Sequence, residues 1–221
     1  MNESELQHAV TRIALAASGS SGFALAGSGA IREHGVISRM TEDVDLFTSD
    51  TNERTFDDAV DRVVDALKTD GYDVDVARRT EQFARLHVRT GADQQVDIDM
   101  GMDWRETEPV ILEIGPVLSI QDAIGNKVSA LYSRGEARDF FDVDAIRASG
   151  HYTDAQLVQA AMERDPGFEA TMFATQLERV NRLTIEDLQE YGVDTHELDA
   201  IKERLSAWAK RLHQPLPGTT G

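Results

Sequence analysis

The sequence predicts an α+β protein, with a sheet in its first half and a helical module in its second. Three observations carry this prediction. Between about 23 and 100, apolar and polar residues alternate in short stretches, which is the period of a strand. After Gly115-Pro116 the apolar positions recur at helical spacing as far as Leu212. Two of the strand-like stretches carry an aspartate at every second position: Asp43 and Asp45 opposite Val44 and Leu46, and Asp97 and Asp99 opposite Val96, Ile98 and Met100.

Taken in order, Leu6, Val10, Ile13, Ala14 and Ala17 share one helical face, so 4–18 reads as an amphipathic helix ended by the Gly/Ser stretch 18–22. A short strand at 23–26 runs into Gly27-Ser28-Gly29, which opens a short helix at 30–34, and a loop then leads to the Asp43 strand. Phe56, Val60, Val63, Val64 and Leu67 predict a helix over 54–69, stopped by Asp70-Gly71. Strands follow at 72–77, 83–89 and 95–100, with turns at Arg79-Thr80 and Gly91-Ala92-Asp93. Helices are expected at 120–132 and 137–148. The resulting division is a core domain at 1–115, a helical domain at 116–213 and a disordered tail at 214–221.

The composition excludes several functions. With 22 Lys and Arg against 40 Asp and Glu, the net charge is -18, so the chain does not hold nucleic acid through a broad basic surface and any RNA contact is local. The acidity itself reads first as a solubility property. The absence of cysteine removes disulfides, thiolate nucleophiles and zinc-thiolate sites. A cytoplasmic protein is expected, with no membrane partner: the first twenty residues lack a basic n-region, and no apolar run approaches a membrane span.

The acidic face of the two aspartate strands is the chemical signal. Carboxylates gathered side by side repel, and a bound divalent cation is a physical reason for tolerating them. Positions i and i+2 lie roughly 6.5 Å apart along a strand, a spread that can straddle two ions about 3.5 to 4 Å apart. Oxygen donors without Cys or clustered His fit Mg2+, or Mn2+, better than zinc.

Gly27-Ser28 at a strand-to-helix turn would let backbone amides approach a phosphate; alone it reads first as an ordinary turn, and the aspartate strand under twenty residues on shifts that reading. The GxGxxG and GxxxxGK fingerprints are both absent. Lys127 projects near the middle of the apolar stripe Ile120, Ala123, Ile124, Val128 and Leu131, where an ammonium needs an anion or must snorkel to the rim. In the next helix Arg138 and Asp142 are spaced i,i+4 for an ion pair, and Asp142 could also orient Lys127. Arg39 is a triphosphate clamp or a solvated loop residue. The histidines show no ligand spacing, and Ser28 has no partners for a Ser-His-Asp triad.

Gly27-Ser28, Asp43-x-Asp45 and a third strand Asp resemble the nucleotidyltransferase signature of the DNA polymerase beta superfamily. More narrowly, Ala26-Gly27-Ser28-Gly29-Ala30, Arg39-x-Thr41-x-Asp43-x-Asp45, Val96-Asp97-Ile98 and Lys127-x-x-Ala130-Leu131-x-x-Arg134-x-x-x-Arg138-Asp139-x-x-Asp142 resemble the AbiEii/MenT-type nucleotidyltransferase toxins. The resemblance implies a mixed-sheet nucleotidyltransferase core flanked by helices. It also implies a toxin of a toxin–antitoxin system that transfers a nucleoside monophosphate from an NTP to an acceptor hydroxyl, at the tRNA 3' end, and has a cognate antitoxin.

On that reading Asp43, Asp45 and Asp97 hold Mg2+, with Asp97 also helping to deprotonate the acceptor hydroxyl; whether Asp97 or Asp99 is the third ligand stays open. Gly27, Ser28, Arg39 and Lys127 hold the NTP, and Asp142 supports the site. Tested against it are a metal-dependent phosphodiesterase or nuclease using the same ions on water, and a catalytically degenerate nucleotide-binding regulatory protein. The NTP and the acceptor stay open.

Overall fold

The computed structural model describes residues 2–39, 41, 43–91 and 94–214; the tail at 215–221 and the centre of the Gly91-Ala92-Asp93 turn lie outside the described residues. The chain divides into two units, one formed by 1–35 with 40–123 and the other by 36–39 with 124–221.

The first unit is built on a seven-stranded mixed sheet. Its strands are β1 (Ala24–Leu25), β2 (Asp43–Thr48), β3 (Asp73–Arg79), β4 (Phe83–Thr90), β5 (Gln94–Met102), β6 (Val110–Leu112) and β7 (Gly115–Val117), in the order β3-β4-β5-β2-β1-β7-β6. The pairs β2/β5 and β1/β7 are parallel and the others antiparallel. Helices α1 (Glu3–Ser18) and α3 (Glu53–Thr69) supply the apolar cover, and α2 (Gly27–Glu33) follows β1.

Helix α1 opens with a capping box between Asn2 and Glu5, and Asn52 caps α3 through the Arg54 and Thr55 amides. The α3 stripe of Phe56, Val60, Val63 and Leu67 is fully buried, as are Leu6, Val10 and Ala14 of α1 and Leu46, Leu86, Ile98 and Met100 of the sheet. Burying such side chains stabilises by about 1.5–3 kcal/mol each, measured as area removed from water. Strand alternation puts these apolar residues on one sheet face and leaves the other to the polar set.

The predicted elements of this half are present with shifted ends, and one pair was not foreseen. Residues after Gly115-Pro116 were expected to turn helical, yet Gly115–Val117 is a strand paired with β6 and with Leu25 of β1. Strands of three residues are too short to display a period, and a Gly-Pro pair reads as a break. The sheet therefore extends past the expected boundary at 115/116, and the first unit runs to 123.

The second unit holds most of α4 (Ile120–Ser133) together with α5 (Ala137–Ala148), α6 (Asp154–Arg164), α7 (Ala170–Glu178) and α8 (Thr195–Leu212). Its core gathers Val128, Leu131, Phe140, Val143, Leu157, Phe173, Leu177 and Trp208. Phe173 meets Trp208 edge-on at 5.2 Å between ring centres. Helices α4 and α6 approach closely at Gly125, where a Cβ would stand 2.7 Å from the Ala160 carbonyl oxygen.

Candidate active site

Strands β2 and β5 run parallel in a register that aligns Asp43 with Asp97 and Asp45 with Asp99. All four side chains therefore stand on the polar sheet face, as the alternation predicted. Asp43, Asp45 and Asp99 each present a carboxylate oxygen within 4.8 Å of the others. Asp97, expected as the third ligand, is not in that group: its Oδ1 lies 2.8 Å from His87 Nδ1 and accepts from Gln95 Nε2, also at 2.8 Å. The difference lies in side-chain partners: register sets Asp97 beside Asp43 and Asp99 beside Asp45, but the Asp97 carboxylate is drawn to His87 and Gln95.

Arg85 of β4, opposite Asp99, donates to both of its oxygens at 2.6 and 2.5 Å. The hydrogen-bonded Asp99 carboxylate, against the opposing effect of burial, raises the Arg85 guanidinium further above its ordinary range, and Asp97 and Asp43 add to it. Sequence reading missed Arg85. Its signal was there, since it sits at the strand position whose alternation matches the acidic face.

Gly27 is the first residue of α2, which starts at the glycine itself and not at Ala30 as expected. Its φ is +57°, and a Cβ would lie 1.9 Å from Asp45 Oδ2. Only glycine lets the backbone adopt this conformation and come so close to the acidic group. Ser28 follows in the same turn and is buried; the amides of a first helical turn have no partner within the helix.

In the second unit Lys127, 7 % exposed, is held by two fully buried carboxylates: Asp142 at 2.9 Å and Asp139 at 3.4 Å. The expected orientation of Lys127 by Asp142 is thus present in the geometry. Arg39 also closes on Asp142, with Nε and Nη2 at 2.5 and 2.7 Å, and its guanidinium lies 5.0 Å from the centre of the Tyr191 ring. Two nitrogens of the residue expected as a triphosphate clamp are therefore engaged on a carboxylate.

Arg134 grips Asp139 at 2.8 and 3.0 Å. Burial pushes the Asp139 carboxyl up, but Arg134, Lys127 and the Glu136 amide together bring it below its ordinary value. Arg138, expected to meet Asp142, donates to Glu136 at 3.0 Å.

Three oxygen donors, no sulfur and no clustered imidazole suit a hard divalent cation, and the missing Cβ at Gly27 lets the backbone pass close to the Asp45 carboxylate. Among the described residues, no helix is long and apolar enough to cross a membrane.

Comparison with known proteins bears on the fold and the family. A search of curated proteins by sequence gave no match. By structure the chain is similar to JHP933 from Helicobacter pylori, at 20% identity and a TM-score of 0.61, covering 96% of this chain and 93% of that one. It is also similar to MenT4, a nucleotidyltransferase toxin from Mycobacterium tuberculosis, at 16% identity and a TM-score of 0.54, covering 94% and 84%. At these identities the likeness establishes the fold. The model of the nucleotidyl transferase AbiEii toxin family, of type IV toxin–antitoxin systems, matches residues 9–204, and the chain belongs to that family of nucleotidyltransferases.

Proposed function

We propose that this toxin transfers a nucleoside monophosphate from an NTP to an acceptor hydroxyl in a Mg2+-dependent reaction, with the 3' end of tRNA as acceptor. The observation that carries the reading is the convergence of Asp43, Asp45 and Asp99 within 4.8 Å beside the Cβ-free backbone of Gly27. These three carboxylates would hold the cation, with Asp99 in the place first expected for Asp97. A divalent ion bound there supplies charge neutralisation at the reacting phosphate and eases ionisation of the attacking hydroxyl.

The rest falls to the chain's own groups. The backbone at Gly27 and Ser28 approaches the nucleotide phosphates where a side chain would block it. Lys127 is the cation for phosphate, and Asp142 aims it. Arg39, bound through its fork to Asp142, holds that carboxylate in place. The acceptor hydroxyl attacks the α-phosphorus in line as its proton leaves; the new P–O bond forms as the bond to pyrophosphate breaks. The family brings an antitoxin as partner.

Incubation of the purified chain with each labelled NTP, Mg2+ and total tRNA tests this. Label should enter RNA and pyrophosphate should appear, with Asp43→Ala lowering the rate at least about a thousandfold. Equal labelling by Asp43→Ala, or none by the unmodified chain with any NTP, would overturn the proposal. Release of nucleotides from RNA without added NTP would instead favour a phosphodiesterase.

A further inference from the structure

Strand β2 carries two of the three clustered aspartates, and among the described residues the strand pairing of Asp43 and Val44 is with β5. Along the β5 edge every residue from Asp43 to Thr48 has a partner. Along the other edge β1 reaches Leu46 and Phe47, and one further bond joins the Ala26 amide to the Asp45 carbonyl at 2.8 Å. Carbonyls of alternate strand residues point to the same edge, so that of Asp43, like that of Asp45, faces the β1 side.

A side chain from α1 occupies that edge. Gln7 Nε2 donates to the Thr41 carbonyl at 2.8 Å, to the Thr41 hydroxyl at 2.9 Å and, more weakly, to the Asp43 carbonyl at 3.4 Å. Gln7 Oε1 accepts from Arg32 Nη1 of α2 at 2.9 Å. A guanidinium only donates, so this contact settles which end of the amide is the oxygen. Gln7 is 3% exposed, on a helix face otherwise lined by Leu6, Val10 and Ala14. The other buried polar residues of that face, Thr11 and Ser18, bond back to their own helix at 2.7 Å. Gln7 alone among these three reaches the acidic strand.

We infer that Gln7 is a positioning residue for nucleotidyl transfer: it holds the start of β2 from the β1 side and, oriented by Arg32, sets Asp43 relative to Asp45 and Asp99. The inference rests on the reading that these three carboxylates hold the divalent cation. Displacement of a ligand by a fraction of an ångström weakens such a site while leaving the helical core intact.

The test is Mn2+ titration of the full chain by electron paramagnetic resonance, beside the labelling assay and thermal unfolding. Gln7→Met keeps the length and loses the donor; it should weaken Mn2+ binding and lower kcat about tenfold or more, with KM for the NTP within about twofold. Ser18→Ala, which deletes a buried hydrogen bond internal to α1, should lower the melting temperature without either change. Arg32→Met should act in the same direction as Gln7→Met, and the double variant should be less than additive.

If Gln7→Met does not fold, Arg32→Met decides alone. Unchanged Mn2+ binding in the folded variant would overturn the inference. Mn2+ binding that survives Asp43→Asn as well would show instead that the aspartate reading itself is wrong.

Discussion

In the first unit Asp43, Asp45 and Asp99 gather within 4.8 Å of one another with Arg85 on one member, Asp99, whereas in the second Asp139, Asp142 and Asp144 stand apart from such a group, each paired with an arginine or lysine. Asp144 shows the second pattern most simply: Arg204 of α8 reaches across to it with Nη2 at 2.5 Å, tying α5 to α8. The chain has 22 basic side chains for 40 acidic ones, so pairing is selective. In the second unit the carboxylates matched to guanidinium groups fix helix packing; in the first, the gathered oxygens are the group that the proposed reaction would need for a cation.

The comparison is broken most strongly at Asp142. Replacing it by alanine leaves the Arg39 fork and the Lys127 ammonium without that carboxylate in a buried setting, a loss of about 3–5 kcal/mol. Urea unfolding measures it, and a loss under about 1 kcal/mol would mean that the second unit's acids are not structural. In the first unit the readout is the cation. Asp45→Asn removes one carboxylate from the cluster, so the stabilisation that Mg2+ confers on the unmodified chain should disappear. A variant that still responds to Mg2+ would contradict the assignment.

The smallest effect sharpens the comparison with a carboxylate of the first unit held by neutral donors. Burial pushes the Asp122 carboxyl up, but the Thr107 hydroxyl, Glu106 amide, Ser119 hydroxyl and Thr107 amide outweigh it and leave its pKa below the ordinary value. A lowered folded-state pKa stabilises above the unfolded value of about 3.9 and is lost as pH falls through the folded one. Melting temperatures from pH 7 down to about pH 3 should therefore fall less steeply for Asp122→Asn than for the unmodified chain. Equal slopes would show that Asp122 titrates alike in both states.

Much of the site was legible because periodicity is a local property. Alternation put Asp43, Asp45, Asp97 and Asp99 on one face, and the 100° step put Lys127 among apolar residues with Asp142 one helix away. The β6–β7 hairpin escaped because three-residue strands carry no period, and Asp122 because its partners lie 3 to 16 residues away in loops.

The sequence by itself determined the class of fold, the polar sheet face and the residue types that converge there, since each follows from backbone geometry over a few neighbouring positions. Only the tertiary structure decided that Asp99 and not Asp97 joins the cluster, that Arg39 binds Asp142, and that Gln7 completes the edge of β2. These depend on which partners a side chain meets across the sheet and on contacts between residues 34 or more apart, which no local pattern encodes.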